Sequence, residues 1–361
     1  MFYEKFLRNK KLIKIVLEKI KNLKLKRKVN LMEVCGTHTY TFFRFGLRKI
    51  IPSYINLISG PGCPVCITEE DFIDKAVILS QDKKNIIATF GDLMCVKGSF
   101  SSLEEEKTKG AYIEVVYSPL EALALAKKTE KRVIFLGIGF ETTAPLIASL
   151  IKETKQKRIK NLFLLCNHRL IPPAMGALCK DKDINIDGFI CPGHVSAIIG
   201  EIPYEAIVKK YKKGCIISGF EPLDMVLSIY RLLVQIKKNT PKLENEYKRV
   251  VKRKGNLEAK KLLKEVFKVT DASWRGLGTI KKSGLELNQN YQDFNAQKLI
   301  KKKIDFKKKN NILCLCADVI KGKTSPFKCP QFKKICNPNN PLGPCMISFE
   351  GSCRICYEYG S

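Results

Sequence analysis

VIFLGIGFETTAPLIASLIKE, residues Val133–Glu153, carries the reading on which the fold turns. An apolar run rich in β-branched and aromatic residues reaches a Gly-x-Gly break. A Pro-containing start and apolar residues at helical spacing follow. The pattern is a buried strand, a tight turn and a helix. The same unit recurs from about residue 30 to 225: INLISG, NIIATFGD, IEVVYS, NLFLLCNH, DGFICPGH and GCIISGF each run into a turn and a helix. After IEVVYS, Ser118 is an N-cap, Pro119 takes the first helical position and Glu121 completes a capping box. Strands alternating with helices predict parallel sheets covered on both faces.

The chain has 361 residues, enough for two or three domains at roughly 150 residues each. The predicted fold class is α/β. Two small parallel-sheet domains, 31–120 and 121–238, face a cleft, after an N-terminal helix within 1–30 that is expected to pack on the last domain. After residue 238 the composition changes to charged helices, a glycine-rich stretch around the only tryptophan, Trp274, and a loop-rich end; 239–361 is read as a C-terminal domain. Cys63, Cys66, Asp92, Glu141, His168, Cys191, His194 and Glu221 all follow strand ends, the edge of an open α/β sheet where ligands bind.

Composition narrows the function classes. No apolar run reaches the ~18–20 residues that span a bilayer, and the lysine-interrupted N-terminus is no signal peptide, so a soluble, cytoplasmic protein is expected. The net charge of +30 invites a nucleic-acid reading. The lysines are spread along the chain, however, and the densest runs, Lys301–Lys303 and Lys307–Lys309, lack interleaved aromatic residues. A lysine-rich solvated surface is the plainer account. RNA binding is kept as an alternative.

Fifteen cysteines in such a chain point to metal or redox chemistry. Seven crowd between Cys314 and Cys356, among prolines and glycines, in a segment with too little apolar surface to order itself without a staple. Their wide, uneven spacing favours an iron–sulfur cluster; a four-cysteine zinc site and plain packing thiols are the competitors. In MEVCGTHTYTFFRFGL, Glu33, Cys35 and His38 fall within six residues, as a metal pair, a Cys–His nucleophile, or a buried thiol beside a capping histidine. In GPGCPVC (Gly60–Cys66), Thr68 is read as the cap of the next helix, which puts Cys66 beside a helix N-terminus that favours a thiolate. That suits a redox dithiol better than half a zinc site. There is no H-E-x-x-H and no G-x-G-x-x-G, and ADVIKGKT (Ala317–Thr324) is a chance match to a phosphate-binding loop.

EVCGTHT, GPGCPVC, FGDLMCVKGS, GFETTAP, NHRLIPPAM, CPGHVSAIIGEIP, GFEPLDM, WRGLGTIKKSGL and CPQFKKICNPNNPLGPCMISFEGSC stand in the order expected of the NiFe-hydrogenase maturation family HypD, which the chain resembles over about residues 30–356. The resemblance implies a redox-active scaffold on which an Fe(CN)2CO unit is built, and leaves open whether it acts as an enzyme. It implies a HypC-type chaperone whose cysteine shares the iron, a HypE-type cyanide donor loaded by HypF, and the hydrogenase large subunit as indirect recipient. By similarity Cys35 is the iron ligand, His38 stands beside it, and Cys63 and Cys66 are the redox dithiol. Cys316, Cys329, Cys336 and Cys345 are then the ligands of a [4Fe–4S] cluster, with Cys314, Cys353 and Cys356 outside it. This chain has Cys95 and Lys97 where the family often has arginine and proline, and Cys95 is read as a small apolar replacement. The alternative function is a cluster-dependent thiol-disulfide oxidoreductase without iron cargo.

Overall fold

The computed structural model describes residues 7–301 and 314–360. Nine short strands form two wholly parallel sheets. β1 (Val29–Glu33), β2 (Ile55–Ser59), β7 (Gly188–Pro192), β8 (Gly214–Ser218) and β9 (Leu243–Asn245) make one, in the order β2-β1-β7-β8-β9. The other is β4-β3-β5-β6, from β3 (Asn85–Thr89), β4 (Ile113–Val115), β5 (Arg132–Gly139) and β6 (Leu162–His168). β10 (Phe267–Trp274) and β11 (Gly278–Leu287) form an antiparallel hairpin with an irregularity between Thr270 and Ala272, and a bridge from Gly284 to Arg169 joins it to the end of β6.

The expected α/β class and the strand–turn–helix units are present. The division of the chain at residue 120 is not: the second sheet is built entirely from 85–168, and the chain then returns to the first. Local sequence pattern marks a strand but not the edge on which it pairs. For β7 that edge is set by burial, since the register Leu31 to Gly188 puts Phe189 and Met32 side by side in the central core. Alternate residues of each strand face opposite layers. Met32 and Ile87 enter the core between the sheets, whereas Leu31 and Ala88 enter outer cores.

The helix Lys10–Asn22 does not reach the last third of the chain. Val16, Leu17 and Ile20 pack on Leu223, Val226 and Ile229 of the helix Pro222–Lys238, so it covers the outer face of the first sheet. Nor is the stretch after 238 mainly helical: β9 extends the first sheet, one helix spans Leu257–Val266, and the glycine-rich part is the hairpin. The helices Cys316–Lys321, Pro344–Ile347 and Ser352–Tyr359 follow. The last of them packs on the helix Gly36–Arg44, with the Tyr40 and Tyr359 rings edge-on at 5.3 Å. Most of the two lysine runs, from residue 302, lies outside the described residues. Among the described residues no helix is long and apolar enough to cross a membrane.

Ser118 caps as expected, its hydroxyl accepting from Leu120 N–H at 3.2 Å. Thr68 does not. Its hydroxyl donates to the Pro64 carbonyl at 2.9 Å, and the helix starts two residues later at Glu70. Cys66 therefore lies on a closed turn, not at a helix N-terminus.

Glu141, at the end of β5, is 3% exposed and accepts from Ile171 N–H at 3.1 Å. Burial raises its carboxyl to about 8. The folded state thus binds a proton that the unfolded chain has released, so stability is full below the ordinary carboxylate range and falls as pH rises towards 8. Between pH 6.5 and 8 the urea midpoint of the wild type is expected to drop, with a slope approaching ~1.4 kcal/mol per pH unit. Glu141→Gln is expected to flatten that drop, and an equal drop in the variant would contradict this assignment.

Candidate functional site

The carboxyl ends of both sheets open on one cleft. A cavity of about 210 Å³ is lined by Cys35 after β1, Asp92 after β3, Phe140 and Thr143 after β5, His194 after β7, and Glu350 from the C-terminal segment. Cys35 is extended, at φ −151° and ψ 123°, and forms the N-cap of the helix Gly36–Arg44. Its N–H donates to Glu33 Oε2 at 3.2 Å. The thiol is only 8% exposed, and burial, then the Glu350 charge, pushes it up to about 12. The N–H groups of His38 and Thr37 pull the other way. Without a metal the sulfur is a neutral thiol; a soft cation that binds it must displace the proton.

Glycine makes this arrangement possible. Gly62 lies flat on Cys35: an added Cβ would sit 2.4 Å from both its Cα and its N. Gly36 N–H donates to Gly62 O at 3.2 Å, and a Cβ on Gly36 would lie 2.6 Å from Glu350 Cβ. The Gly60–Cys66 turn, the Cys35 helix start and the C-terminal segment are thus stacked backbone on backbone. Cys63 and Cys66 are joined as a disulfide with Cα atoms 5.3 Å apart. Both line a small gap behind Cys35, shared with Gly36, Cys345 and Glu350.

Glu33 is fully buried, bound by the Thr39 hydroxyl, and raised by burial to about 7. His38 is fully buried too, and burial lowers it to about 3, so the ring is neutral. Its Nε2–H donates to Gly219 O at 2.9 Å, which fixes the tautomer and leaves the buried Nδ1 as the unpartnered acceptor. His38 does not line the cleft. The imidazole that does is His194, stacked on Phe220 at 3.9 Å, with His38 on the same ring at 4.8 Å. Glu350 is raised by burial and by Asp92, and Asp92 in turn accepts from Ser348 Oγ at 3.4 Å.

The strand-end rule gathers fewer groups than expected. Asp92 and His194 reach the cleft. Glu141 serves the backbone, His168 is fully buried beside Cys166, Cys191 meets Cys215 in the core, and Glu221 pairs with Arg8 at 2.9 Å. Glu350 follows no strand and carries no local mark; the fold alone brings it to Cys35, 315 positions earlier in the chain. Cys95 lies against Glu104, and Lys97 pairs with Glu105 at 3.4 Å, so neither contributes to the cleft cavity.

The C-terminal thiols lie behind the dithiol. Cys314 meets Cys316, Cys316 meets Cys345, and Cys345 meets Cys353, through side-chain contacts. Cys336 is raised chiefly by burial, with Cys314 and Cys329 adding to the rise. Of the four expected cluster ligands, Cys316 and Cys345 touch each other, and Cys336 lies near Cys329 and Cys314. Cys314 and Cys353, expected outside, belong to the same set of thiols, and Cys356 stands near Arg48. Among the described residues no three His, Cys, Asp or Glu side chains are set to hold a single metal ion. A cubane needs no such convergence, because its thiolates bind different irons.

Known proteins match this sequence over most of its length. The HypD family model, described as a hydrogenase formation family, matches residues 11–360. A putative hydrogenase expression/formation protein of Methanocaldococcus jannaschii is 41% identical over 350 residues, covering 96% of this chain and 97% of its own. The hydrogenase maturation factor HypD of Escherichia coli is 39% identical over 340 residues, 92% and 90% of the two chains. That of Rhodobacter capsulatus is 40% identical over 339 residues, 92% and 89%.

The glycine contact makes a sharp expectation. Gly62→Ala drives a Cβ into the Cys35 backbone, which cannot move as a side chain would. The cost is expected to be roughly 1–3 kcal/mol or more, as for overpacking generally. Gly91→Ala, whose Cβ would meet only Val115 Cγ1 at 3.7 Å, is the control and is expected to stay within about 0.5 kcal/mol of the wild type. Equal denaturation midpoints for the two variants would contradict the stacked arrangement.

Proposed function

The chain belongs to the HypD family of hydrogenase maturation factors, and from that premise we propose that it holds iron at Cys35 while the Fe(CN)2CO unit of NiFe-hydrogenase is assembled in the cleft. One observation carries this reading: a cavity at the sheet ends with a single cysteine on its wall and a pair of cysteines lining a small gap behind it. Low-spin iron with cyanide and CO takes a soft thiolate ligand and a pocket that keeps water out. At roughly 30 Å³ for each water-sized group, an iron with three diatomic ligands fits a cavity of about 210 Å³. His194, Asp92 and Glu350 are the polar groups placed to orient the diatomic ligands or to take up the thiol proton. His38 supports the site from behind, through Gly219 and Phe220.

The Cys63/Cys66 pair is assigned the electron supply. Cleaving a donor's S–CN bond into thiolate and cyanide takes up two electrons, the number released when a dithiol closes to a disulfide. Two contacts that hold the turn do not pass through sulfur and can persist in both states: Thr68 Oγ1 to Pro64 O, and Gly36 N–H to Gly62 O. A HypC-type chaperone supplying a second thiolate, and a HypE-type cyanide donor, are the partners this chemistry requires. Cytoplasmic residence, where thiols stay reduced, suits it.

The C-terminal thiols are an all-sulfur donor set, which suits an iron–sulfur cluster better than a harder metal. By similarity to the family, Cys316, Cys329, Cys336 and Cys345 are the proposed ligands; Cys316 and Cys345 touch each other, and Cys336 lies near Cys329. Cys345 also lines the small gap shared with the dithiol. When bound, a [4Fe–4S] cluster supplies electrons singly.

The test is complementation of a host that lacks its own maturation factor, with this chain's partner proteins co-expressed. Cys35→Ser and the double variant Cys63→Ala/Cys66→Ala are expected to reduce NiFe-hydrogenase activity to background, and Cys95→Ala to leave it within about threefold of the wild type, since that thiol lies off the cleft. Full activity with Cys35→Ser, together with a strict need for the dithiol, would instead establish a thiol-disulfide oxidoreductase without iron cargo.

A further inference from the structure

The hairpin tip Trp274–Gly278 has no part in the chemistry above, yet it lies between the dithiol turn and the cysteine-rich segment. Trp274 anchors it. The indole is fully buried, donates from Nε1 to Ser283 Oγ at 2.8 Å, and stacks on Phe140 with ring centroids 6.1 Å apart. Arg275 then reaches one way. Its backbone N–H donates to Ile67 O at 2.9 Å, Nε donates to Thr68 O at 2.7 Å, and Nη1 lies 3.2 Å from Glu70 Oε1. These are the residues that lead out of the Cys63–Cys66 turn. The last guanidinium nitrogen, Nη2, is buried with no hydrogen-bond partner.

Gly276 reaches the other way. It is in the left-handed region, φ +82°, and lies on Ala317, where a Cβ would be 2.9 Å from the Ala317 Cα. Ala317 follows Cys316. Arg275 and Gly343 line one cavity of about 590 Å³, and a Cβ on Gly343 would stand 2.8 Å from Cys314 Sγ.

We propose that Arg275 is a positioning residue whose guanidinium fastens the hairpin tip, which rests on the cysteine-rich segment through Gly276, to the exit of the Cys63–Cys66 turn, and that it presents a fixed positive charge to the sulfur centre held in that segment. The charge half rests on the cluster reading given above; the lock does not. The guanidinium suits both tasks. Its planar fork satisfies the Thr68 carbonyl and Glu70 together, which a lysine cannot do, while its charge is permanent. A cation facing an iron–sulfur centre favours the reduced form, which carries one more negative charge. Removing it lowers the potential.

The experiment uses the full chain purified without oxygen, as wild type, Arg275→Gln and Arg275→Lys. Iron and sulfide are counted, amide hydrogen exchange is followed over residues 63–72 and 314–321, and the cluster is titrated by electron paramagnetic resonance. Arg275→Gln is expected to keep its iron and sulfide and to exchange at least tenfold faster in both segments. At a fixed potential its reduced-to-oxidised ratio falls about tenfold, ~59 mV for a one-electron couple. Arg275→Lys is expected to restore the potential but not the protection. Wild-type exchange in Arg275→Gln overturns the lock, and an unchanged potential overturns the charge. A wild type without iron or sulfide sinks the cluster reading and the charge role with it, and exchange alone then decides the lock.

Discussion

The Gly62 backbone lies directly on the Cys35 backbone, with no room for a methyl group between them. The rest of the site depends on that approach. It sets the dithiol turn against the cysteine that faces the cleft, and the Gly36 contact brings Glu350 onto the opposite side of the same residue. Gly351 repeats the device one layer further back, where a Cβ would stand 2.2 Å from the Cys345 carbonyl oxygen. Three chain segments far apart in sequence are thereby stacked at main-chain distance. Contacts of this kind hold to a few tenths of an ångström, because interiors are close-packed and main chain yields less than side chains do.

Desolvation is the second constraint. Burial dominates at Glu33, Cys35 and His38, and each is driven towards its neutral form. A bound cation changes that balance, since it favours the thiolate and any carboxylate beside it. The polarity of the site is thus set by local burial and not by the chain's formal charge of +30.

Much of this architecture is legible in the sequence, and what is not has physical reasons. Each strand–turn–helix unit shows in its own residues, because burial and turn chemistry are local. Sheet membership does not, since the return of β7 to β1 is a choice among edges that look alike from inside one strand. Cys35, Cys63 and Cys66 are marked by their glycine turns, and Asp92 and His194 by strand ends. Glu350 carries no such mark. Thr68 has the composition of a helix cap, but its hydroxyl is taken by Pro64, and a competing acceptor four residues away cannot be read from spacing. The contacts among the C-terminal thiols are not legible for a related reason: cysteines distant in the chain become neighbours only when the segment folds back on itself.

The central claim, that Cys35 carries an iron cargo separate from any cluster, is decided most directly by an infrared spectrum combined with iron and acid-labile sulfide counts. The sample is chain purified without oxygen in complex with its chaperone partner. The account predicts about four sulfides with roughly one iron in excess, and bands in the cyanide and CO stretching region that vanish, along with the excess iron, in Cys35→Ser. Equal iron and sulfide with no such bands in the wild type, when every partner is co-expressed, would contradict it.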